Sequence, residues 1–261
     1  MGIINVTPDS FSDGGRFFDP SSAIQHGLDL AAEGADLLDV GGESTRPYSD
    51  PIATEEELRR VLEVVRGLCR RSGKPVSIDT SKAAVARAAL DEGAEVVNDI
   101  TGLTGDSAIV EVVRAAGAGV VAMHIQGTPQ TMQDAPTYGD VVAEVLEFLR
   151  SRRDTLIAAG IAADKICLDP GIGFGKTHQH NLTLLANCGR FHELGCPVLV
   201  GHSRKGYIGK VLADKSADPL AGTIGVACAL ASQGVQILRV HDVAAVRQAL
   251  CLFEAVGGTG Y

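Results

Sequence analysis

Short apolar runs alternate with helical patterns along the whole chain. A phrase in which glycine ends a helical pattern and a new apolar run begins recurs four times, at residues 33–39, 92–98, 116–122 and 233–239. Glycine just past a helix end supplies the left-handed residue of a C-cap. An apolar run with little polar alternation is typical of a strand that is covered on both faces. The repeats therefore predict joints between helices and the strands of a parallel sheet.

Completing this pattern predicts eight strand-helix units. The strands are expected near residues 2–6, 36–40, 75–79, 95–98, 119–124, 165–169, 197–200 and 235–239, and the helices near 21–33, 54–72, 81–92, 106–116, 139–159, 179–194, 216–233 and 242–256. Eight such units in about 250 residues are typical of a (β/α)₈ TIM barrel, and an open doubly wound sheet is the alternative. Because no linker divides the units, we predict one barrel domain over residues 1–261.

Three of the strand-to-helix connections are unusually long. They cover residues 7–20, 41–53 and 125–138, whereas ordinary connectors have a median of about 4–6 residues. We therefore expect long loops after strands 1, 2 and 5, all on the carboxyl side of the sheet.

Composition narrows the class of protein. The chain has 32 acidic and 23 basic residues, a net charge of −9, which opposes sequence-independent binding to nucleic acid or to an acidic membrane. Its apolar runs are shorter than the roughly 18 residues of a membrane span, and no export signal follows Met1. We expect a cytoplasmic protein whose six cysteines are reduced.

Polar residues stand at the carboxyl ends of the predicted strands, where a barrel builds its active site. They are Asn5, Asp39, Glu43, Asp79, Asn98, Asp99, His124, Asp169, the run from His202 through Ser203 and Arg204 to Lys205, Arg239 and His241. Acidic residues here can also cap the following helix, which we expect for Asp99 and Asp242. Lys205, Arg239 and His241 cannot be explained in this way, because a cation at a helix N-terminus opposes the helix dipole.

These strand ends predict two regions of one binding site. The cations at strands 7 and 8 predict an anionic group such as a phosphate. Asp79, Asn98 and Asp169 form an acceptor-rich region. Because buried unpaired carboxylates are costly, the pair of regions predicts a ligand with an N–H-rich ring at one end and phosphate at the other.

Three other motifs favour structural interpretations. The stretch from Gly171 to Lys176 and Thr177 resembles a P-loop, but the first glycine of that loop would fall at Pro170. Its glycines instead let a loop pass close to a ligand, with Phe174 as an aromatic wall. His178 and His180 could be a metal pair, yet an exposed helix start is favoured. The acidic run at 55–57 begins a helix, where negative charge is stabilising.

Four phrases taken together resemble the dihydropteroate synthase family. They are residues 1–15, 41–47, 169–176 and 203–205, joined by shorter matches at 77–80, 98–100, 123–124, 127–129 and 239–241. The resemblance covers nearly the whole chain. It implies a (β/α)₈ barrel that joins 6-hydroxymethyl-7,8-dihydropterin pyrophosphate to 4-aminobenzoate in folate biosynthesis, releases pyrophosphate, and is a target of sulfonamides.

The resemblance also implies roles at the pterin and pyrophosphate end. Asp79, Asn98 and Asp169 would read the amino-pyrimidine edge of the pterin, with Lys205 near its carbonyl and ring nitrogen, and Ser203 would also bind substrate. Asn5, Arg239 and His241 would hold the pyrophosphate, and Asn5 would be a ligand of Mg²⁺, an ion that commonly bridges substrate phosphates.

The remaining implied roles belong to the aminobenzoate end. Two long loops would close over the site and form the aminobenzoate pocket with Phe174; they carry Phe11, Asp13, Thr45, Arg46 and Pro47. Asp13 would accept an amine N–H, and Arg46 would order the loops or stabilise the departing charge. Asp13, Arg46 and Lys205 are thus the catalytic candidates.

The chain departs from the family pattern at Tyr48, where a glycine is common, and at Gly206, where Ser or Arg is common. Both residues border the implied aminobenzoate pocket. The family further implies a homodimer through the last helices, although Leu252, Phe253 and Val256 would also suit the core of a monomer. Rival functions are a pterin-dependent methyltransferase domain acting on a corrinoid protein, a non-catalytic pterin-binding module, and a metal-dependent hydrolase resting on His178 and His180.

Overall fold

Parallel strands follow one another in chain order in the computed structural model, which describes residues 1–7, 19–214 and 216–258. Eight strands lie within these ranges: β1 (Gly2–Asn5), β2 (Leu38–Gly41), β3 (Val76–Asp79), β4 (Val96–Asp99), β5 (Gly119–Met123), β6 (Ile166–Asp169), β7 (Leu199–Val200) and β8 (Ile237–Leu238). Strands β1 to β6 form one continuous sheet, and β7 pairs with β8. Each predicted strand therefore exists, and most are one or two residues shorter than predicted.

Single β-bridges join the six-stranded sheet to the β7–β8 pair at two seams, one between β6 and β7 and one between β8 and β1. Leu168 at β6 pairs in parallel with Val198 just before β7, and Gly2 at β1 pairs in parallel with Val240 just after β8. At the second seam the Val240 N–H donates to the carbonyl of Met1 over 2.9 Å. The eight strands thus follow one another around a ring, the arrangement expected of a barrel.

Helices cover the outside of this ring. Within the described ranges they are α1 (Pro20–Ala32), α2 (Thr54–Arg71), α3 (Ala83–Asp91), α4 (Ile109–Ala116), α5 (Val141–Ala158), α6 (His178–Leu185), α7 (Tyr207–Val211), α8 (Pro219–Ala231) and α9 (Val243–Ala255), with short 3₁₀ helices at Ala163–Lys165 and Cys188–Leu194. Three helices begin after a capping aspartate, since Asp19, Asp140 and Asp218 each accept a backbone N–H of the first turn.

Two of the predicted helices differ from the structure. The helix predicted over 179–194 ends at Leu185, and a 3₁₀ helix follows. There the Gly189 N–H donates to the side-chain oxygen of Gln233 over 3.1 Å. The helix predicted over 216–233 begins at Pro219, and the short helix α7 before it was not expected.

The capping prediction for Asp99 and Asp242 was wrong. Asp99 accepts hydrogen bonds from the backbone N–H groups of Thr101 and Leu103, and so it orders the loop after β4. Asp242 precedes α9 but makes no capping bond. Its carboxylate pairs with Arg204 instead.

Apolar side chains of the strands and of the inner helix faces form the core. Ile4, Leu38, Ile78 and Leu168 are fully buried, so the strands are covered on both faces as their composition predicted. Among the residues that the structure describes, no helix combines the length and the apolar character needed to cross a membrane. The six cysteines all lie within the described residues and are not paired with one another.

Candidate active site

One row of residues across the strand ends forms the centre of the site. The register pairs Asn5 of β1 with Gly41 of β2, Gly41 with Asp79 of β3, and Asp79 with Asn98 of β4. Gly41 lies directly beside Asp79, since a Cβ on this glycine would be in van der Waals contact with the Cβ of Asp79 at 3.4 Å. The structure thus brings Asn5, Asp79 and Asn98 to one level of the barrel mouth, as the strand ends predicted.

Arg239 follows β8 and reaches back across this row. Its Nε donates to Oδ2 of Asp39 over 2.6 Å, and its Nη2 donates to Oδ2 of Asp79 over 2.8 Å. Asn98 Nδ2 donates to the same Asp39 oxygen over 3.1 Å. The predicted cationic and acceptor-rich regions are therefore in direct contact, and Asp39 joins them.

Two carboxylates share this one guanidinium. Burial raises the pKa of Asp79 to about 7, the charge of Arg239 opposes this shift, and the charge of Asp39 adds to it. Asp39 is fully buried, and its Oδ1 has no hydrogen-bond partner among the described residues. The cluster therefore has more acceptors than donors, which suits a ligand that presents N–H groups.

Asp169 and Lys205 form the opposite side of the mouth. The Asp169 carboxylate accepts the Gly171 N–H over 2.7 Å. Burial raises the pKa of Asp169, while that hydrogen bond and the charge of Lys205 oppose the shift. Burial lowers the pKa of Lys205 to about 8, and Asp169 opposes this. Lys205 Nζ also donates to the Ile172 carbonyl and lies 4.7 Å from the centre of the Phe174 ring.

Ser203 and His241 meet beside Arg239. The ring nitrogen Nδ1 of His241 lies 3.0 Å from Oγ of Ser203, and the His241 N–H donates to the same oxygen over 3.3 Å. Burial, followed by the charges of Arg204 and Arg239, lowers the pKa of His241 to about 4. His241 is therefore neutral at pH 7 and contributes a hydrogen-bonding group, whereas Arg239 contributes the charge.

The loops above the strand ends carry the other predicted residues. Thr45 is half-buried, and Arg46 and Pro47 are exposed on the loop after β2. Tyr48, the departure from the family pattern, has a φ of 65°. This left-handed conformation is easy for glycine and costly for tyrosine. Phe11 and Asp13 lie outside the described residues.

Sequence reasoning missed an ion cluster beneath the loop after β2. Lys82 donates to Glu43 of that loop and to Glu57 of α2, the second over 2.5 Å. The acidic run at 55–57 begins α2 as predicted, but Glu57 is 1% exposed and takes part in a buried ion pair that the prediction did not include. The helical spacing that places Glu57 beside Val61 and Val65 on the buried face of α2 was the available signal.

The remaining motifs have the structural roles expected of them. Lys176 is 2% exposed and donates to the Phe174 carbonyl over 2.9 Å, so it does not present its charge to a phosphate. Thr177 caps α6, which begins at His178, and His180 completes the capping box. Among residues 1–7, 19–214 and 216–258, no cluster of three or more His, Cys, Asp or Glu could hold a metal ion. Among these described residues the hydrolase alternative therefore has no metal cluster to support it.

Comparisons with known proteins agree with this geometry. The family profile described as "Pterin binding enzyme" matches residues 1–241, and the chain therefore belongs to the family of pterin binding enzymes.

The individual relatives narrow the class further. A dihydropteroate synthase of Escherichia coli (strain K12) is 45% identical over 255 residues, which cover 98% of this chain and 90% of the relative. The Yersinia pestis dihydropteroate synthase, solved as a complex with a sulfonamide drug, has a TM-score of 0.91 and 43% identity over 98% of this chain and 92% of that one. A Xanthomonas albilineans dihydropteroate synthase solved with 4-aminobenzoic acid has a TM-score of 0.90 and 46% identity over 98% and 91% of the two chains.

These matches confirm both the resemblance to dihydropteroate synthases and the (β/α)₈ barrel class. The chain is accordingly a transferase of folate biosynthesis. The methyltransferase and non-catalytic alternatives have no support among these relatives.

Proposed function

We propose that this chain condenses 6-hydroxymethyl-7,8-dihydropterin pyrophosphate with 4-aminobenzoate, giving 7,8-dihydropteroate and pyrophosphate. The observation that carries the proposal is the single mouth in which Asp79, Asn98 and Asp169 face Lys205 and Arg239. A Xanthomonas albilineans dihydropteroate synthase has been solved in complex with 7,8-dihydropteroate, at 44% identity to this chain and a TM-score of 0.87. That complex supports the same product here.

The strand ends bind the pterin in this proposal. Asp79, Asn98 and Asp169 accept the N–H groups of the amino-pyrimidine edge, and Lys205 donates to the pterin carbonyl and ring nitrogen. Lys205 is placed for this by the Ile172 carbonyl and the Phe174 ring. Because these groups are largely withdrawn from water, each charge-assisted hydrogen bond contributes more than it would on the surface.

Arg239, His241 and Ser203 hold the pyrophosphate. Arg239 must exchange part of its pairing with Asp39 and Asp79 for the phosphate oxygens. The pterin N–H groups then compensate the released carboxylate of Asp79. Binding of the two ends of the substrate is therefore coupled through the Arg239 ion pairs.

Asn5 is the proposed Mg²⁺ ligand, and its surroundings fit that ion. Mg²⁺ is typically bound by one or two protein oxygens, several waters and substrate phosphates. The Asn5 amide lies on the strand next to Gly41 and in line with Asp79, and a site completed by the substrate needs no larger protein ligand cluster. When bound, Mg²⁺ would neutralise charge on the departing pyrophosphate.

The reaction breaks the bond between the pterin methylene carbon and the pyrophosphate oxygen, and forms a bond from that carbon to the aminobenzoate nitrogen. The electron-rich pterin supports positive charge on the methylene carbon, and Arg239 stabilises the departing charge. The amine then attacks while one of its N–H groups donates a hydrogen bond to Asp13, and the proton that it loses passes to the released pyrophosphate or to water. Thr45, Arg46, Pro47, Phe11 and Phe174 form the pocket that orients the aminobenzoate.

A coupled assay tests this function directly. The purified protein would be incubated with the pterin pyrophosphate, 4-aminobenzoate and Mg²⁺, and pyrophosphate and dihydropteroate would be quantified, the latter by mass. We expect equal amounts of the two products, and loss of both in Lys205→Ala or after chelation. A folded protein that binds no pterin pyrophosphate would refute the proposal.

A homodimer through the last helices is a further part of the proposal. Leu252 and Val256 at the end of α9 are 69% and 81% exposed, and an apolar patch of this kind is typical of an interface. Leu252→Asp combined with Val256→Asp should convert a dimer to a monomer in light scattering. A wild-type monomer at assay concentration would contradict it. A cytoplasmic location and one functional domain over residues 1–261 stay predictions.

A further inference from the structure

The long loop after β5 has no role in the function proposed so far. We call residues 125–138 the brace. The two ends of the brace are joined to each other, because the Gln126 side chain donates to the Thr137 carbonyl over 3.1 Å and accepts the Thr137 N–H over 3.2 Å. Its middle is also folded on itself, since the Met132 N–H donates to the Thr128 carbonyl over 2.7 Å and Met132 is 3% exposed. A loop closed in this way behaves as a compact unit.

One side of the brace holds the loop that carries Thr45, Arg46 and Pro47. The Tyr48 N–H donates to the Pro129 carbonyl over 3.0 Å, and Gln130 Nε2 donates to the Ser49 carbonyl over 2.8 Å. The Ser49 hydroxyl in turn contacts the Ser44 carbonyl at 2.6 Å and the Arg46 carbonyl at 2.8 Å. The backbone on both sides of Thr45 is therefore tied to the brace through Ser49.

The other side of the brace holds the loop that carries Phe174. Gln133 Nε2 donates to the Gly173 carbonyl over 2.9 Å, and the Tyr138 hydroxyl donates to the Gly175 carbonyl over 2.8 Å. A Cβ on Gly175 would lie 2.3 Å from the Gln126 carbonyl oxygen, so the two backbones are in contact. Hydrogen bonds from the brace thus reach the residues on both sides of Phe174.

A buried lysine supports the Phe174 loop from below. Lys176 Nζ contacts the Phe174 carbonyl at 2.9 Å, Nδ1 of His124 at 2.9 Å and the His124 carbonyl at 3.3 Å. His124 immediately precedes the brace and packs edge-on against Phe148 with ring centres 4.8 Å apart. The Phe174 loop is therefore hydrogen-bonded both to His124, where the brace begins, and to the middle of the brace.

We infer that the brace sets the distance between the two walls of the aminobenzoate pocket, and that Gln130 and Gln133 are positioning residues for the second substrate. The inference rests on the proposed function, which makes Arg46 and Phe174 parts of those walls. Neither glutamine lies among the strand-end residues that bind the pterin. Loosening the brace at Gln130, which holds the loop after β2, should therefore weaken binding and selection of the aminobenzoate and leave pterin binding intact. Gln133 holds the loop that also contacts Lys205, so its loss should affect the aminobenzoate more than the pterin.

The test uses Gln130→Ala and Gln133→Ala in the full chain. Both side chains are only partly buried, so the variants should fold. Gln179→Ala is the matched control, because Gln179 is an exposed glutamine at the start of α6, outside the brace. Three quantities would be measured: the Kd of the pterin pyrophosphate by calorimetry, the KM for 4-aminobenzoate, and the ratio of kcat/KM for 4-aminobenzoate over 3-aminobenzoate.

We expect each brace variant to raise the KM for 4-aminobenzoate by about tenfold and to lower the ratio between the two isomers, because small misplacements of a positioned substrate are costly. The pterin Kd should stay within about twofold of the wild type in Gln130→Ala, as in the control, and in Gln133→Ala it should change by less than the KM for 4-aminobenzoate. A general loss of folding would weaken both substrates together and would not lower the isomer ratio selectively.

Phe174→Ala separates the two possible failures. If Phe174→Ala raises the KM for 4-aminobenzoate while both brace variants behave like Gln179→Ala, the inference is wrong and the proposed function stands. If the wild type forms no dihydropteroate, or Phe174→Ala leaves the KM unchanged, the proposed pocket is wrong and the inference falls with it.

Discussion

The strand ends and the loops above them are built in different ways. At the strand ends, which we call the base, Asp39, Asp79 and Asp169 lie in largely buried surroundings and are balanced by Arg239 and Lys205. The loops form a rim in which partly buried side chains such as Gln130 and Gln133 donate hydrogen bonds to backbone carbonyls of neighbouring loops. In the base, each charged group depends on its partner. In the rim, the position of the backbone is what the contacts preserve.

This contrast indicates where the effects of substitution should fall. Removing a charge from the base leaves another charge buried without its partner, so stability and pterin binding should both suffer. Removing a contact from the rim leaves groups that water can reach, so the effect should be confined to the second substrate. Substitutions in the two regions test this division, and the greatest loss is expected in the base.

Arg239→Met should destabilise the protein strongly, because it leaves Asp39 and Asp79 without their shared cation. Breaking a buried pair by removing one partner costs about 3–5 kcal/mol. The free energy of unfolding would be measured in urea. Arg204→Met is the matched control: Arg204 pairs with Asp242, but its side chain is 50% exposed, and such pairs contribute about 0–1 kcal/mol.

Adding Asp39→Asn to Arg239→Met should restore part of the lost stability, since it removes one of the uncompensated charges. Equal losses in Arg239→Met and Arg204→Met would show that the base does not depend on its charge balance.

Asp79 should make the stability of the ligand-free protein depend on pH. Its pKa is about 7 in the folded chain, against 3.8 for an unperturbed aspartate, so between these values the folded state binds more protons than the unfolded state. The contribution of Asp79 to the free energy of unfolding is therefore present at low pH. It is lost as the pH rises from about 4 to 7, by at most about 1.4 kcal/mol per pH unit.

The measurement is the difference in unfolding free energy between the wild type and Asp79→Asn across this pH range. His241 is present in both proteins, so its contribution cancels in this difference. Its lowered pKa on its own would make the stability rise with pH. If that difference does not change with pH, Asp79 is ionised throughout and the two carboxylates do not compete for Arg239.

Tyr48→Gly should have the smallest effect and the opposite sign. A non-glycine residue in the left-handed region costs about 1–2 kcal/mol, and the extra freedom of glycine in the unfolded chain offsets about 0.5–1 kcal/mol of the gain. We expect a net stabilisation of about 0.5 kcal/mol in thermal or urea unfolding. Tyr48→Ala retains the Cβ and should show no gain. A gain of the same size in both variants would mean that the tyrosine ring, and not the backbone conformation, is unfavourable.

The sequence predicted which residues lie in the base better than it predicted the contacts between them. Glycines at helix ends and apolar runs located the eight strands, and the polar strand ends identified Asp79, Asn98, Asp169, Lys205 and Arg239 before any contact was known. The pairing of Arg239 with Asp39 joins residues 200 positions apart, and no local pattern encodes such a contact. For the same reason the link between Lys82 and Glu57 was missed.

The rim was predicted less completely. Loop length showed that residues 125–138 were unusual, but not which backbone carbonyls Gln130 and Gln133 would reach. Those contacts depend on the distance between two other loops, which is a property of the folded barrel. The direction of Lys176 could not be predicted either, because the same glycine-rich phrase is compatible with a lysine that faces a ligand or one that faces the core.

The most direct test of the division between base and rim is calorimetric binding of the pterin pyrophosphate, with Mg²⁺ and without aminobenzoate, to Asp169→Asn and Arg46→Ala. Loss of a charged hydrogen-bond partner in the base should weaken binding by about 10–100-fold. Arg46→Ala should bind within about twofold of the wild type while its turnover falls. Equal losses of pterin affinity in the two variants would contradict the division, because base and rim would then bind the same substrate.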